Sequence, residues 1–195
     1  VWSCTGREGK GGARARPWPR MTWSDARGND GSDKPDTRFG MKLVNLTERL
    51  GKTGCPVFES ASEAGGRVEA INAKGLASMT RKEIDSLGEF VKTYRAKGLP
   101  YMTFTADGGV KSSFNKFMTP ELIETVRAAM AAEPGDIVFF AADRRSVAWQ
   151  ALGALRCQLA PRKGLTDHSL YHLLRVPDVP PFGLHQEAGP YVVAH

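Results

Sequence analysis

The chain has 195 residues, 41% of them hydrophobic and 25% charged, which are ordinary proportions for a globular protein. This length supports one substantial core, and no apolar run approaches the roughly 20 residues that span a bilayer, so no membrane contact is predicted. The three cysteines are widely spaced and form no CxxC pair, which argues against a zinc site and a disulfide framework.

The formal net charge of +6 is unevenly distributed, because the first 20 residues hold five cations and a single carboxylate. Residues 1–19 are rich in Gly and Arg, show no hydrophobic periodicity and are predicted to be irregular. Basic proteins often bind polyanions. Since most of the excess lies in this tail, charge alone gives weak support for a nucleic-acid partner.

A turn-rich segment, Gly31–Arg38 (GSDKPDTR), follows a predicted strand end at Met21–Trp23 and a short helical turn from Ser24. Its cations, Lys34 and Arg38, allow it to contact an anionic substrate. Its composition also fits a solvated turn with internal Asx bonds, and composition alone favours this second interpretation.

The next elements are a short amphipathic helix and the start of a strand. The helix is predicted from the spacing of Leu43, Leu46 and Leu50, with its end near Gly51. A strand is expected to begin at Val57–Phe58, before a loop that leads to a further strand around Val68.

The clearest local signals lie between Ser78 and Phe104. Thr80 with Glu83 three residues later forms a capping box, and apolar residues then recur at helical spacing. The helix is predicted to close at Lys97 and Gly98, because a cation and a glycine suit a helix C-terminus. Tyr101–Phe104 is predicted to be a strand.

The segments that follow alternate between helix and strand. The sequence predicts a polar loop at 106–118 and a second helix that begins at Thr119–Pro120. A continuous apolar strand is predicted at Ile137–Phe140, and a third helix begins at Asp143. From Val68 the order is therefore strand, helix, strand, helix, strand, helix. This order predicts helices covering a sheet, in an α/β or α+β arrangement, over about residues 55–160.

The C-terminal part is predicted to contain a short helix at 164–175, an extended stretch and a terminal strand at Tyr191–His195. His168 and His172 lie at i and i+4 of that helix, but no third ligand is placed by the sequence, so no metal site is predicted. Dinucleotide fingerprints, phosphate loops and nucleophile elbows are absent from the sequence. The residues alone therefore indicate a soluble domain without indicating a reaction.

Six short stretches carry a family resemblance: Gly31–Arg38 (GSDKPDTR), Ser78–Asp85 (SMTRKEID), Ala96–Leu99 (AKGL), Phe139–Asp143 (FFAAD), Gly153–Arg156 (GALR) and Gly164–Asp167 (GLTD). In order and spacing they resemble the bacterial-type aspartyl-tRNA synthetases of class II, over roughly residues 20–195. Each stretch alone is a weak signal, whereas the ordered set is specific.

The resemblance implies an α+β fold with a GAD-type insertion domain. Four parts follow from it: an irregular basic segment at 1–19, partial class II catalytic core at 20–54, the GAD insertion domain at 55–160, and a return to the catalytic core at 161–195. An alternative is a non-catalytic GAD-type module that binds tRNA or a protein, as in a tRNA-dependent amidotransferase subunit.

The resemblance also implies the chemistry of the parent enzyme. The family activates L-aspartate with ATP and Mg²⁺, transfers it to tRNA(Asp), works as a homodimer and is cytoplasmic. The three class II motifs and the anticodon-binding barrel of the family are missing from these residues, so the polypeptide by itself is expected to be a fragment without activity.

Few residues are assigned a role by the resemblance. His195 matches the first histidine of the family's histidine loop and would bind L-aspartate, and Asp33, Lys34 and Arg38 belong to a signature at the edge of the active site. No catalytic residue and no metal ligand is assigned. Asp30 stands where the family usually has an aromatic residue, and Gly183 stands where it usually has an acid.

Overall fold

The structure is a computed structural model that describes residues 18–162, 164–165, 172–179, 182–183 and 192–193, the last two by backbone only. Across these ranges, none of the helices combines the length and apolarity that crossing a membrane requires.

A five-stranded sheet forms the centre of the molecule. Its strands are β1 (Val44–Asn45), β2 (Arg67–Ala73), β3 (Tyr101–Phe104), β4 (Val110–Ser112) and β5 (Ile137–Asp143), in the spatial order β1-β2-β5-β3-β4. Every neighbouring pair is antiparallel, and the two longest strands, β2 and β5, pair over their whole length with Ile71 opposite Phe139. Helices alternate with antiparallel strands, which confirms the α+β prediction.

Helices cover both faces of this sheet. They are α1 (Trp23–Asp30), α2 (Thr47–Leu50), α3 (Pro56–Glu63), α4 (Arg81–Lys92), α5 (Pro120–Met130) and α6 (Arg145–Arg162). Along β5, Ile137 and Phe139 join the core beneath α4 and α6, while Val138 and Phe140 join the core beneath α3 and α5. The continuous apolar run of β5 therefore reflects burial on both faces, as predicted, although the strand is antiparallel.

The capping box of α4 is confirmed, but the predicted end of the helix is wrong. The Thr80 hydroxyl accepts from the Glu83 N–H at 3.3 Å, and Glu83 Oε2 accepts from the Thr80 N–H at 2.9 Å. The helix stops at Lys92, five residues before Lys97. Thr93 closes it by donating its hydroxyl to the Phe90 carbonyl at 2.7 Å, and Arg95 then turns the chain at a φ of 68°.

Two predictions on either side of the 31–38 loop are wrong. Met21–Trp23 do not end a strand, because the Thr22 hydroxyl accepts from the Asp25 N–H at 3.1 Å and starts α1 at Trp23. The helix predicted around Leu43 and Leu46 is reduced to the single turn of α2. The preceding Val44 and Asn45 pair with β2 instead.

Two later segments also differ from the prediction. Val57 and Phe58 belong to α3, where Pro56 occupies the first helical turn, a position that proline favours. The polar segment 106–118 contains β4, which forms a hairpin with β3 through a turn at Asp107–Gly108, with Gly108 at a φ of 84°. The Asp-Gly pair was the sequence signal for this hairpin.

The segments after β5 follow the prediction in part. Asp143 is the last residue of β5, its carboxylate accepts from the Arg144 N–H at 2.7 Å, and α6 follows from Arg145. His172 to Arg175 are not helical, since Arg175 pairs with Arg20 in a parallel bridge. The terminal strand prediction is met at Val192–Val193, which pairs with Phe182–Gly183.

A buried carboxylate, Asp136, ties the loop between α5 and β5 to Asn72 of β2 and to the loop that follows β2. Its oxygens accept from the Gly75 N–H at 2.8 Å, the Glu133 N–H at 3.0 Å and the Asn72 side-chain amide at 3.0 Å. Burial opposes ionisation, but these hydrogen bonds outweigh it and hold the pKa of Asp136 below its ordinary value of 3.8. The charged form of Asp136 therefore stabilises the fold.

We expect the free energy of unfolding to decrease in acid because of this group. A lowered pKa means that the contribution of Asp136 is complete above about pH 4 and is lost as the pH falls through its value in the folded state. Asp136→Asn should cost about 2 kcal/mol at pH 7, since one carboxylate oxygen becomes an amide NH₂ and the donors bonded to that oxygen lose their acceptor. It should also reduce the loss of stability between pH 7 and pH 3. Urea unfolding measures both, with the exposed Asp85→Asn as control. An equal acid dependence in the Asp136→Asn protein would contradict the assignment.

Candidate functional site

The Gly31–Arg38 signature lies where the end of α1 meets the middle of α6. Gly31 ends α1 at a φ of 71° and donates its N–H to the Arg27 carbonyl at 3.1 Å. It lies against Gly153 of α6, where an added Cβ would approach the Gly31 carbonyl oxygen to 2.8 Å and the Asp30 carbonyl oxygen to 2.9 Å. Two of the resembling stretches, GSDKPDTR and GALR, are thus in contact.

Arg156, the last residue of the GALR stretch, is the centre around which the loop is folded. Its side chain is only 1% exposed, and its guanidinium carbon lies 4.5 Å from the centre of the Phe39 ring. Its donors reach five acceptors: Asp30 Oδ1 at 2.8 Å, and the carbonyl oxygens of Asp36 at 3.1 Å, Phe39 at 3.4 Å, Gly40 at 3.2 Å and Met41 at 3.1 Å. One buried cation therefore sets the path of residues 36–41.

Asp30 supplies the counter-charge for this cation. It is 3% exposed, and burial raises its pKa while the adjacent Arg156 offsets part of that effect. At this position, where the resemblance implies an aromatic residue, the chain places a carboxylate against Arg156, a role that the sequence did not indicate.

Asp36 and Arg38 pair with each other within the loop. Arg38 donates Nε to Asp36 Oδ1 at 2.9 Å and Nη2 to Oδ2 at 2.6 Å, and the Arg38 N–H also bonds to Oδ1 at 3.1 Å. The hydrogen bond from the Arg38 side chain is the main cause of the lowered pKa of Asp36. These contacts are the internal Asx bonds that composition favoured. Arg38 is thus engaged in shaping the loop.

The other predicted site residues differ in their placement. Lys34 is exposed, its N–H donates to the Ser32 hydroxyl at 3.1 Å, and Asp33 beside it is half-buried. The loop therefore leaves Lys34 exposed to solvent, whereas Arg38 is paired with Asp36. His195 and His168 lie outside the described residues, and His172 is exposed.

A second polar cluster, which the sequence did not indicate, lies at the β1 side of the sheet. An open cleft of about 490 Å³ is lined by Asn45, Thr47, Glu48, Arg49, Gly66 and Arg67. Arg67 and Arg145 both approach Trp149 of α6, which donates its indole N–H to the buried Glu69 at 3.2 Å. Burial raises the pKa of Glu69, and the hydrogen bond from Trp149 and the charge of Arg67 offset part of the shift. We call Arg49, Arg67 and Arg145 the arginine corner.

The described part of the chain offers exposed cations and no cluster of metal ligands. Within these ranges no three His, Cys, Asp or Glu side chains lie close enough together to hold a metal ion. The titratable groups with shifted pKa values, such as Asp36 and Asp136, are held by structural hydrogen bonds. Exposed cations at Lys34 and at the arginine corner remain as the groups suited to a ligand.

Comparison with known proteins defines the class of the central domain. Residues 58–152, which run from α3 into α6, match the family model of the GAD domain. The GAD domain thus contains most of the five-stranded sheet, whereas the 31–38 loop and Arg156 lie outside the match.

The particular relatives are bacterial aspartate–tRNA ligases. The chain is 48% identical over 179 residues to the aspartate–tRNA(Asp/Asn) ligase of Lachnoclostridium phytofermentans, 44% over 179 residues to the aspartate–tRNA ligase of Agathobacter rectalis, and 45% over 190 residues to the aspartate–tRNA(Asp/Asn) ligase of Bacillus cereus. These alignments cover 92–97% of the chain but only 30–32% of the relatives. Residues 58–152 are therefore similar to the GAD domain, and nearly the whole chain is similar to a segment that makes up about a third of the length of these ligases.

Proposed function

We propose that the chain is the part of an aspartate–tRNA ligase that joins the GAD domain to adjoining segments of the catalytic domain. The supporting observation is the extent of the similarity, which reaches 179–190 residues and so includes both flanks of the matched domain. The complete protein would activate L-aspartate with ATP to form aspartyl-adenylate and transfer it to tRNA(Asp). It would act in the cytoplasm as a homodimer.

In this proposal the 31–38 loop lies at the edge of the aspartyl-transfer site. Lys34 supplies an exposed cation for a phosphate or carboxylate, Asp33 flanks it, and Arg38 fixes the loop through Asp36. His195 would bind L-aspartate. We assign no described residue to magnesium or ATP.

The second candidate is a GAD-type module that binds tRNA or protein without catalysis. The match at residues 58–152 supports it, because such a domain has its own sheet and cores on both faces. The ligase is favoured because the flanking residues pack into the domain: Leu43 joins the core beneath α4 and α6, and Leu46 joins the core on the other face of the sheet. A free-standing module does not require these contacts.

ATP–pyrophosphate exchange that depends on L-aspartate tests the proposal. We expect no exchange above background from the 195-residue polypeptide, and clear exchange from the product of a reading frame extended at both ends. In that longer protein Lys34→Ala should lower exchange at least about 10-fold, because a cation that meets developing phosphate charge contributes at this level. Exposed Lys52→Ala is the matched control. An extended protein that binds tRNA but never exchanges would favour the non-catalytic module.

A further inference from the structure

The arginine corner is assembled from three separate parts of the chain. Arg67 begins β2 and is in register with Asp143 at the end of β5, so Arg145, two residues after Asp143, comes to the same corner of the sheet. Arg49 of α2 lines the adjacent cleft together with Arg67. Pairing of the two central strands thus concentrates cations that are far apart in sequence.

The corner is held in position by an aromatic ring. The guanidinium carbons of Arg67 and Arg145 lie 5.8 and 5.1 Å from the centre of the Trp149 ring. The ring itself is fixed by the hydrogen bond from its N–H to Glu69. Cation–π stacking restricts both side chains, so less conformational entropy is lost when they bind a ligand.

The position of Arg145 is unfavourable for the isolated fold. It is the first residue of α6, and the first turn of this helix contains no acid. A cation at the positive end of a helix dipole is repelled, so an anion at this place would relieve the repulsion. The carboxylates facing the corner are Glu48 on the cleft wall, Asp143, and the buried Glu69, whose Oε1 lies 3.7 Å from Arg67 Nη1. Neither Arg49 nor Arg145 has an ion pair within the described ranges.

We propose that the arginine corner binds the phosphate backbone of RNA; on the basis of the proposed function, this RNA is tRNA. Arginine forks match phosphate oxygens in a bidentate geometry, which suits a chain of phosphates. Arg49 and Arg67 line the open cleft, and Arg145 shares the Trp149 ring with Arg67. Trp149 is only 8% exposed, so its ring is not available for base stacking. The corner therefore contacts the backbone and does not read the sequence.

The test measures binding of the full 195-residue chain to an unmodified tRNA transcript over a range of salt concentrations. The triple variant Arg49→Gln/Arg67→Gln/Arg145→Gln should weaken binding of the tRNA by about 10-fold or more. It should also make the slope of log affinity against log salt shallower by about 2, since each lost phosphate contact removes about 0.7–0.9 from that slope. The control replaces exposed Lys97, Lys111 and Lys116 by Gln in the β3–β4 half of the sheet, which changes the net charge equally. It should change affinity less than about 3-fold.

Two further variants distinguish a loss of RNA binding from a loss of folding. Arg49→Gln/Arg145→Gln leaves the contact of Arg67 with Glu69 intact, and should give an intermediate loss with an unchanged melting temperature. Arg49→Lys/Arg145→Lys keeps the charge but loses the fork, and should recover only part of the affinity. The inference is overturned if the triple Lys→Gln control loses as much affinity for RNA as the triple Arg→Gln variant, or if the triple Arg→Gln variant loses none. Either result leaves the proposed ligase function standing. A wild-type chain that binds no RNA also overturns it, and aspartate-dependent exchange then decides the function separately.

Discussion

Replacing Arg156 by methionine is expected to lower the free energy of unfolding by about 3–5 kcal/mol, because it leaves the buried Asp30 without its counter-charge. The same change removes the donors that hold the carbonyls of residues 36–41. Methionine replaces the aliphatic stem of arginine but not its guanidinium, so the loss reflects mainly the polar contacts. Urea unfolding followed by circular dichroism measures the effect.

The matched control for this prediction lies on the same helix. Arg162 is 37% exposed and pairs with Glu83 at 3.4 Å, so Arg162→Met should cost no more than about 1 kcal/mol. The double variant Asp30→Asn/Arg156→Met should be more stable than Arg156→Met alone, since it removes the uncompensated charge. A single-variant cost equal to that of Arg162→Met would show that the buried pair does not organise the loop.

Gly153→Ala is expected to destabilise the chain by about 1–3 kcal/mol, although alanine favours helices over glycine. The added Cβ would lie 2.8 Å from the Gly31 carbonyl oxygen and 2.9 Å from that of Asp30, so the 31–38 loop has to move away from α6. In the extended protein the same change should also lower aspartate-dependent exchange, if the loop lies at the active-site edge as proposed.

Gly88→Ala is the control, and it is expected to change the free energy of unfolding in the opposite direction. Gly88 is also inside a helix, α4, but an added Cβ meets nothing within 4 Å. Helix propensity then acts alone and should stabilise the chain by up to about 1 kcal/mol. Thermal or urea unfolding of the two variants should therefore give changes of opposite sign. A stabilising Gly153→Ala would contradict the close approach of α1 and α6.

These two predictions concern the boundary between the GAD domain and its flank. The family match ends at residue 152, next to Gly153, whereas the packing continues without interruption into residues 20–54. Leu43 belongs to the core beneath α4 and α6, and Leu46 and Leu50 belong to the core on the other face. The flank and the domain are thus stabilised together. Damage to either is expected to affect the 31–38 loop.

The sequence by itself determined the features that depend on neighbouring residues. The Thr80–Glu83 capping box, the start of α5 at Thr119–Pro120 and the strands at Tyr101–Phe104 and Ile137–Phe140 were predicted correctly, because each depends on local hydrogen bonding or burial pattern. The ordered motifs also pointed to the aspartyl-tRNA synthetases. Their local spacing did not reveal the antiparallel order β1-β2-β5-β3-β4, which requires pairing over long separations.

Only the tertiary structure decided the roles of the charged residues. Arg156 reaches carbonyls more than 110 residues away in the chain, and Glu69 meets Trp149 at a separation of 80 residues. No local pattern distinguishes such a buried arginine or glutamate from the exposed charges around it, because burial is set by the packing of distant elements. The internal bonds of the 31–38 turn, by contrast, are local and were favoured by its composition, and the pairing of Arg38 with Asp36 is one of them.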